Sequence, residues 1–218
     1  MKTTRKEFGK RFVVMVWTFV FIACIFQSPL CAQSIVDEWT SVKVPLVPEL
    51  KPVTLDPGTT ALLLLDFNKQ TCNAERRPRC IASIPVVGKL LKEARSKGVQ
   101  VIYSLSAGAS VADIAKELAP AAGEPAVTSG PDKFWGTDLE KILKDKGVKT
   151  VIVTGTAAHG AVLYTASGAA LRGIQVIVPV DSMSAENTYA EQYVAWHLLN
   201  APRISNQATL TKIELIKF

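Results

Sequence analysis

Between Thr150 and Arg172 the chain reads TVIVTGTAAHGAVLYTASGAALR: a β-branched run, a glycine-bracketed turn and an Ala/Leu-rich segment in immediate succession. Val151, Ile152 and Val153 form a continuous apolar run, which suits a strand covered on both faces in a parallel sheet. Gly155 and Gly160 bracket the turn, Ala161 to Leu171 favours helix, and Gly173 supplies a stop. The N–H groups that open such a helix lack partners and carry partial positive charge, so the junction suits an anion or a developing oxyanion. The two glycines also have P-loop spacing. Ala161 and Val162 stand where Lys and Ser/Thr are required, which excludes a nucleotide phosphate site.

The remainder alternates strand and helix patterns. Residues 61–67 (ALLLLDF) read as a buried strand, 84–97 as an amphipathic helix, 99–105 as a second strand and 111–118 as a short helix, followed by a Gly/Pro/Ser loop. A capping box from Thr137 to Glu140 opens the next helix, and Gly147 ends it. After the opening strand and helix come a strand at 175–180, a helix at 189–199 and a short strand at 208–210. This order predicts a single α/β domain with a doubly wound, parallel sheet of five or six strands and helices on both faces. Residues 33–59 carry Pro45, Pro48, Pro52 and Pro57 without a sustained period and read as an extended arm on the domain, which then spans 60–218.

Residues 1–32 read as a secretory signal peptide: Lys2, Arg5, Lys6, Lys10 and Arg11 precede the apolar run from Phe12 to Phe26, with cleavage expected after Ala32. Leu30 at the −3 position is large for such a site, so a retained N-terminal anchor is the alternative. An apolar run of that length rises only ~22 Å against the ~30 Å of a bilayer core, which favours cleavage. The expected location is therefore periplasmic or secreted, with no stable membrane association afterwards. Five of the 25 Lys/Arg and one of the 19 Asp/Glu lie in this segment, which leaves the rest of the chain at +2. Basicity thus gives no argument for nucleic acid, and no basic stripe with interleaved aromatics is present. A small-molecule partner is expected, and homo-oligomer formation stays open.

Of four cysteines, Cys24 and Cys31 fall in the signal segment. Cys72 and Cys80 remain, both in one loop, and an oxidising compartment favours a disulfide between them; a pair of free thiols, or one thiol as a nucleophile, are the alternatives. His159 and His197 are the only histidines, and no metal-ligand spacing occurs, so neither a metal nor another cofactor is expected.

In such sheets the ligand lies beyond the carboxyl ends of the strands, where Asp66, Ser104, Ser106, His159 and Asp181 fall. These residues, with ALLLLDF, IPVVGKLLKEARSKGVQVIY, FWGTDLEKILKDKGVKTVIVTG and AAHGAVLYTASGAALRG, resemble the isochorismatase-like superfamily of cysteine hydrolases over about residues 60–210. The resemblance implies an Asp-Lys-Cys triad, with Asp66 as its Asp, and a cis peptide at Thr156-Ala157. Counting back from Gly136-Thr137 puts the Lys on Thr128, and counting forward from Gly155 puts the nucleophile on Ala161. A methyl group cannot attack a carbonyl, so covalent amidase chemistry is excluded. Ala158-His159-Gly160-Ala161 is similar instead to the true isochorismatases, which cleave a vinyl ether without a thiol, the Asp serving as general acid.

On that resemblance Asp66, Lys133 and His159 are the candidate catalytic residues, Lys133 as a substitute cation. Thr128, Phe134, Trp135 and the backbone of Ala157 and Ala161 are the candidate substrate contacts. His159 reads first as an orienting group for the turn and Asp181 first as a turn residue, while Phe134 and Trp135 have an equal claim as loop packing. The function implied is a divergent hydrolase of small carboxylate-bearing enol ethers, esters or amide-like compounds, with an inactive ligand-binding protein as the alternative.

Overall fold

The computed structural model describes residues 34–218. The signal-peptide segment lies outside the described residues. Two compact units are distinguished, one ending at Pro45 and the other running from Leu46 to Phe218. In the first, Ser34 caps a single helical turn, Ile35–Glu38, through a reciprocal contact with Asp37.

The second unit is a parallel sheet between helical layers. Its strands are β1 (Val53–Thr54), β2 (Thr60–Leu65), β3 (Gln100–Leu105), β4 (Ala126–Thr128), β5 (Thr150–Thr156), β6 (Gln175–Pro179), β7 (Met183–Ser184), β8 (Ala208–Thr211) and β9 (Ile216–Lys217). Six strands run in the order β4-β3-β2-β5-β6-β8, and β7 pairs with the end of β5, giving a seven-stranded sheet in which every ladder is parallel. The sheet is therefore one strand larger than the upper count of the expected five or six. β1 and β9 form a separate two-stranded pair, so residues 46–59 are held by strand pairing and by the Lys51 N–H bond to Leu210 O.

The helices are α1 (Pro78–Ser96), α2 (Leu139–Asp145), α3 (Leu163–Leu171) and α4 (Thr188–Asn200). Alternation along the strands divides the core. Leu63, Leu65, Val151 and Val153 point toward α2, α3 and α4, where they meet Leu143, Ala166 and Val194. Leu62, Leu64 and Ile152 point toward α1 and meet Val87 and Leu91. Burial on both sides explains the unbroken apolar runs 61–65 in β2 and 151–153 in β5.

Several expectations are corrected in detail. The helix expected at 84–97 starts at Pro78, because proline at the first helical position forfeits an N–H that has no partner there anyway, and Pro85 is carried inside it. The helix expected at 111–118 is two 3-10 turns, Val111–Asp113 and Lys116–Leu118. Thr137 does not form the capping box with Glu140. Its hydroxyl accepts from Leu139 N–H and donates to Lys133 O, so the helix starts two residues later. A π-turn, Ala158–Val162, precedes α3.

Candidate active site

The carboxyl ends of β2, β3 and β5 converge on Asp66. The chain leaves β2 there with φ at 56°, and the carboxyl is only 6% exposed. The side chain of Ser104, near the end of β3, donates to Asp66 Oδ1 at 2.7 Å, and Lys133 Nζ lies 2.8 Å from Oδ2. Lys133 is itself fully buried. A buried ammonium needs a counter-charge and further acceptors; Asp66 supplies the first, and Ser129 O, at 3.3 Å, supplies another.

Lys133 is fixed at both ends. Its N–H donates to Thr165 Oγ1 on α3, and its carbonyl accepts from Thr137. The count from Gly136 lands on Thr128, but that residue ends β4, paired with Leu105, and its side chain is exposed. The chain must pass five residues beyond it and turn under α3 before a four-carbon stem can reach Asp66. The cation beside Asp66 is therefore Lys133.

The turn after β5 forms the other wall. Gly155 has φ at 130°, and a Cβ there would lie 2.1 Å from Leu65 O, so the approach of β5 to the end of β2 requires glycine. The Thr156-Ala157 peptide is cis. Thr156 is buried and donates to Ser184 O on β7, while Ala157 O accepts from the N–H groups of Gly160 and Val162. Ala161 is 2% exposed at the head of the turn, one helical turn before Thr165, the residue that holds the Lys133 backbone.

The other candidates separate. Phe134 is buried, with the Arg172 guanidinium 4.4 Å from its ring centre and Gly168 against its edge, which is loop packing. Trp135 is 77% exposed. His159 is exposed on the side of Glu186. Asp181 accepts from Ile213 N–H, as a turn residue would.

The Cys72–Cys80 disulfide is formed. It closes a ring holding Arg77, a buried cation that sequence patterning did not single out. Arg77 donates to Thr71 O and to Glu186, and Thr71 Oγ1 in turn donates to Asp66 O at 2.5 Å. Burial pushes the Glu186 carboxyl up, but the Arg77 hydrogen bond and the charges of Arg77 and His159 bring it below the usual glutamate range. Arg79 makes a two-pronged contact with Glu191, which also accepts from Ala185 N–H. The ring is thus braced to the start of α4 beside the site. Among the described residues, no group of three or more His, Cys, Asp or Glu is placed to hold a metal ion.

The isochorismatase domain family matches residues 60–211, which spans every strand of the main sheet and all of the site residues above. The chain belongs to the isochorismatase family. Among curated relatives it is 32% identical over 144 residues to a secreted isochorismatase effector of Verticillium dahliae, covering 61% of this chain and 76% of the effector. It is 30% identical over 128 residues to an N-carbamoylsarcosine amidase of Arthrobacter, covering 46% of this chain and 48% of the amidase, so it spans about half of that enzyme. A solved cysteine hydrolase from Pseudomonas syringae superposes with a TM-score of 0.66 at 20% identity, covering 78% of this chain and 95% of that one, a likeness of fold. The hydrolase assignment thus comes from the family, and the geometry above is what this member has to work with.

Proposed function

We propose that this chain is an exported hydrolase that acts without a thiol on a small carboxylate-bearing enol ether, ester or amide-like compound, with Asp66 as general acid and base. The observation that carries this reading is the buried Asp66–Lys133 pair in a site where Ala161 lies in the turn leading into α3. A methyl group there leaves no protein nucleophile, while a carboxylate and an ammonium in contact can still move a proton.

In this scheme the resting pair shares a proton held on Nζ. Transfer from Nζ to Oδ2, a contact of 2.8 Å, makes Asp66 an acid that protonates the substrate carbon or leaving oxygen. Water then attacks the cationic centre and gives up a proton to Asp66, which returns it to Nζ, and the C–O bond to the leaving group breaks to release the alcohol. The N–H groups of Ala157 and Ala161 serve the substrate carboxylate, and His159 and Trp135 form the outer rim. Export is supported by the N-terminal basic and apolar run, and by a relative named as secreted.

The rival reading, ligand binding without turnover, is favoured by Ala161 itself. A panel of small enol ethers, esters and amides separates the two, with Asp66→Asn as control because it keeps shape while removing the transferable proton. Turnover that falls at least ~100-fold in Asp66→Asn supports the hydrolase. Saturable binding without turnover supports the rival, and undiminished turnover in Asp66→Asn removes Asp66 from the mechanism.

A further inference from the structure

We propose that Ser104 is a positioning residue that decides which oxygen of Asp66 exchanges a proton. The inference rests on the hydrolase reading above and deepens it. Ser104 is 1% exposed and is joined to Asp66 at two points. The Asp66 N–H donates to Ser104 O at 3.1 Å, and Ser104 Oγ donates to Asp66 Oδ1 at 2.7 Å. The first contact fixes the backbone where the strand ends, and the second fixes the rotation of the carboxyl about its own axis.

The proton count on the two sides differs. A serine hydroxyl carries one proton, and here it is spent on Oδ1. That oxygen therefore faces a neutral donor with nothing further to give. Oδ2 faces an ammonium with three N–H donors, one of them on Oδ2 and one on Ser129 O. Proton exchange is confined to the Oδ2 and Nζ side, while Oδ1 serves as a fixed pivot.

Lys133, from the loop before α2, is the charged group in contact with the carboxyl. Arg77 stands one contact further away, on Thr71 O. Arg77 is committed to Thr71 O and Glu186, so the Ser104 hydroxyl is the group that holds Oδ1.

The test uses the full chain with the Asp66 carboxyl carbon observed by ¹³C NMR, its resonance assigned by its disappearance in Asp66→Asn. Ser104→Ala should displace the resonance, Ser104→Thr should restore it, and Ser104→Cys, a weaker donor of similar size, should fall between. With the ester or enol ether that the wild type hydrolyses fastest in the panel, Ser104→Ala should lower kcat about tenfold and leave KM within about twofold, since a hydrogen bond to a charged group is lost without loss of substrate contact. Recovery of kcat by Ser104→Thr completes the pattern. A Ser104 that only supports the fold would lower thermal stability while leaving the kcat of folded protein unchanged, and that result overturns the proposal. Failure of the underlying reading is separate: it shows as full activity in Asp66→Asn, whatever the Ser104 variants do.

Discussion

Lys133 Nζ stands 2.8 Å from Asp66 Oδ2 although 67 positions separate the two residues, and neither side chain is more than 8% exposed. Removing one charge from such a pair leaves the other buried without compensation. Lys133→Met should therefore cost about 3 kcal/mol in urea unfolding, more than replacing both partners together as Asp66→Asn with Lys133→Met. A single variant as stable as the wild type would mean that the pair is open to water.

Ala161→Cys tests what the missing thiol would do. The new side chain would sit at the head of the turn before α3, where the helix dipole favours a thiolate, one turn from the residue that holds Lys133. Iodoacetamide should label it while Cys72 and Cys80 stay unlabelled. Nicotinamide hydrolysis should stay ~100-fold or more below that of a true amidase, because a misplacement of ~1 Å costs about that factor and only the thiol has been restored. Efficient hydrolysis would show that the chain is an amidase scaffold lacking only sulfur.

Gly155→Ala should not yield a stable protein. The backbone there has φ at 130°, and the added Cβ would fall 2.1 Å from Leu65 O, which is main chain of the neighbouring strand and cannot rotate aside. Loss of soluble expression, or a stability loss above about 3 kcal/mol, is expected. A well-folded alanine variant would show that β5 can move away from β2.

The disulfide closes a ring with a sequence separation of eight, and both cysteines are buried. In the chain-entropy model such a ring contributes about 2.5 kcal/mol. The double variant Cys72→Ser, Cys80→Ser should lose about that much. Alkylation of the native chain should find no free thiol at these positions until a reductant is added under denaturing conditions.

Acid sensitivity follows from Glu124. Burial pushes its carboxyl up, but hydrogen bonds from the Arg95 guanidinium and the Ala121 N–H, with the Arg95 charge, bring it below the ordinary 4.5. A carboxylate lowered in the folded state stabilises fully above its unfolded value and loses that contribution as pH falls through the folded one. Comparing urea midpoints at about pH 6 and about pH 3, Glu124→Gln should show a smaller acid-side loss than the wild type. An equal loss would assign the sensitivity to other carboxylates.

Much of the scaffold could be read from residue order, because β2 and β5 announce themselves as unbroken apolar runs and the glycines at 147 and 173 end their helices. The edge strand β4 could not. It is three residues long, only its middle residue is buried, and it lies in a stretch of Gly, Pro and Ser. In the site, Asp66, Ala161 and the cis Thr156-Ala157 peptide followed from likeness to a family motif. Lys133 was named as a substitute cation, but its contact with Asp66 depends on the path of an aperiodic loop, which no spacing rule fixes. The Arg77 brace was invisible for the same reason: Glu186 lies 109 positions away.

The order β4-β3-β2-β5-β6-β8 has a consequence for when the site comes into being. β2 occupies the middle of the sheet, yet the neighbours that complete its ladders and its polar contacts arrive from residues 100–105 and 150–156, and the lysine from the loop between them. No contiguous fragment short of about half the chain contains Asp66 together with Ser104, Lys133 and Ala161. A chain still being synthesised or clipped by a protease between these positions therefore lacks the full set of contacts around Asp66.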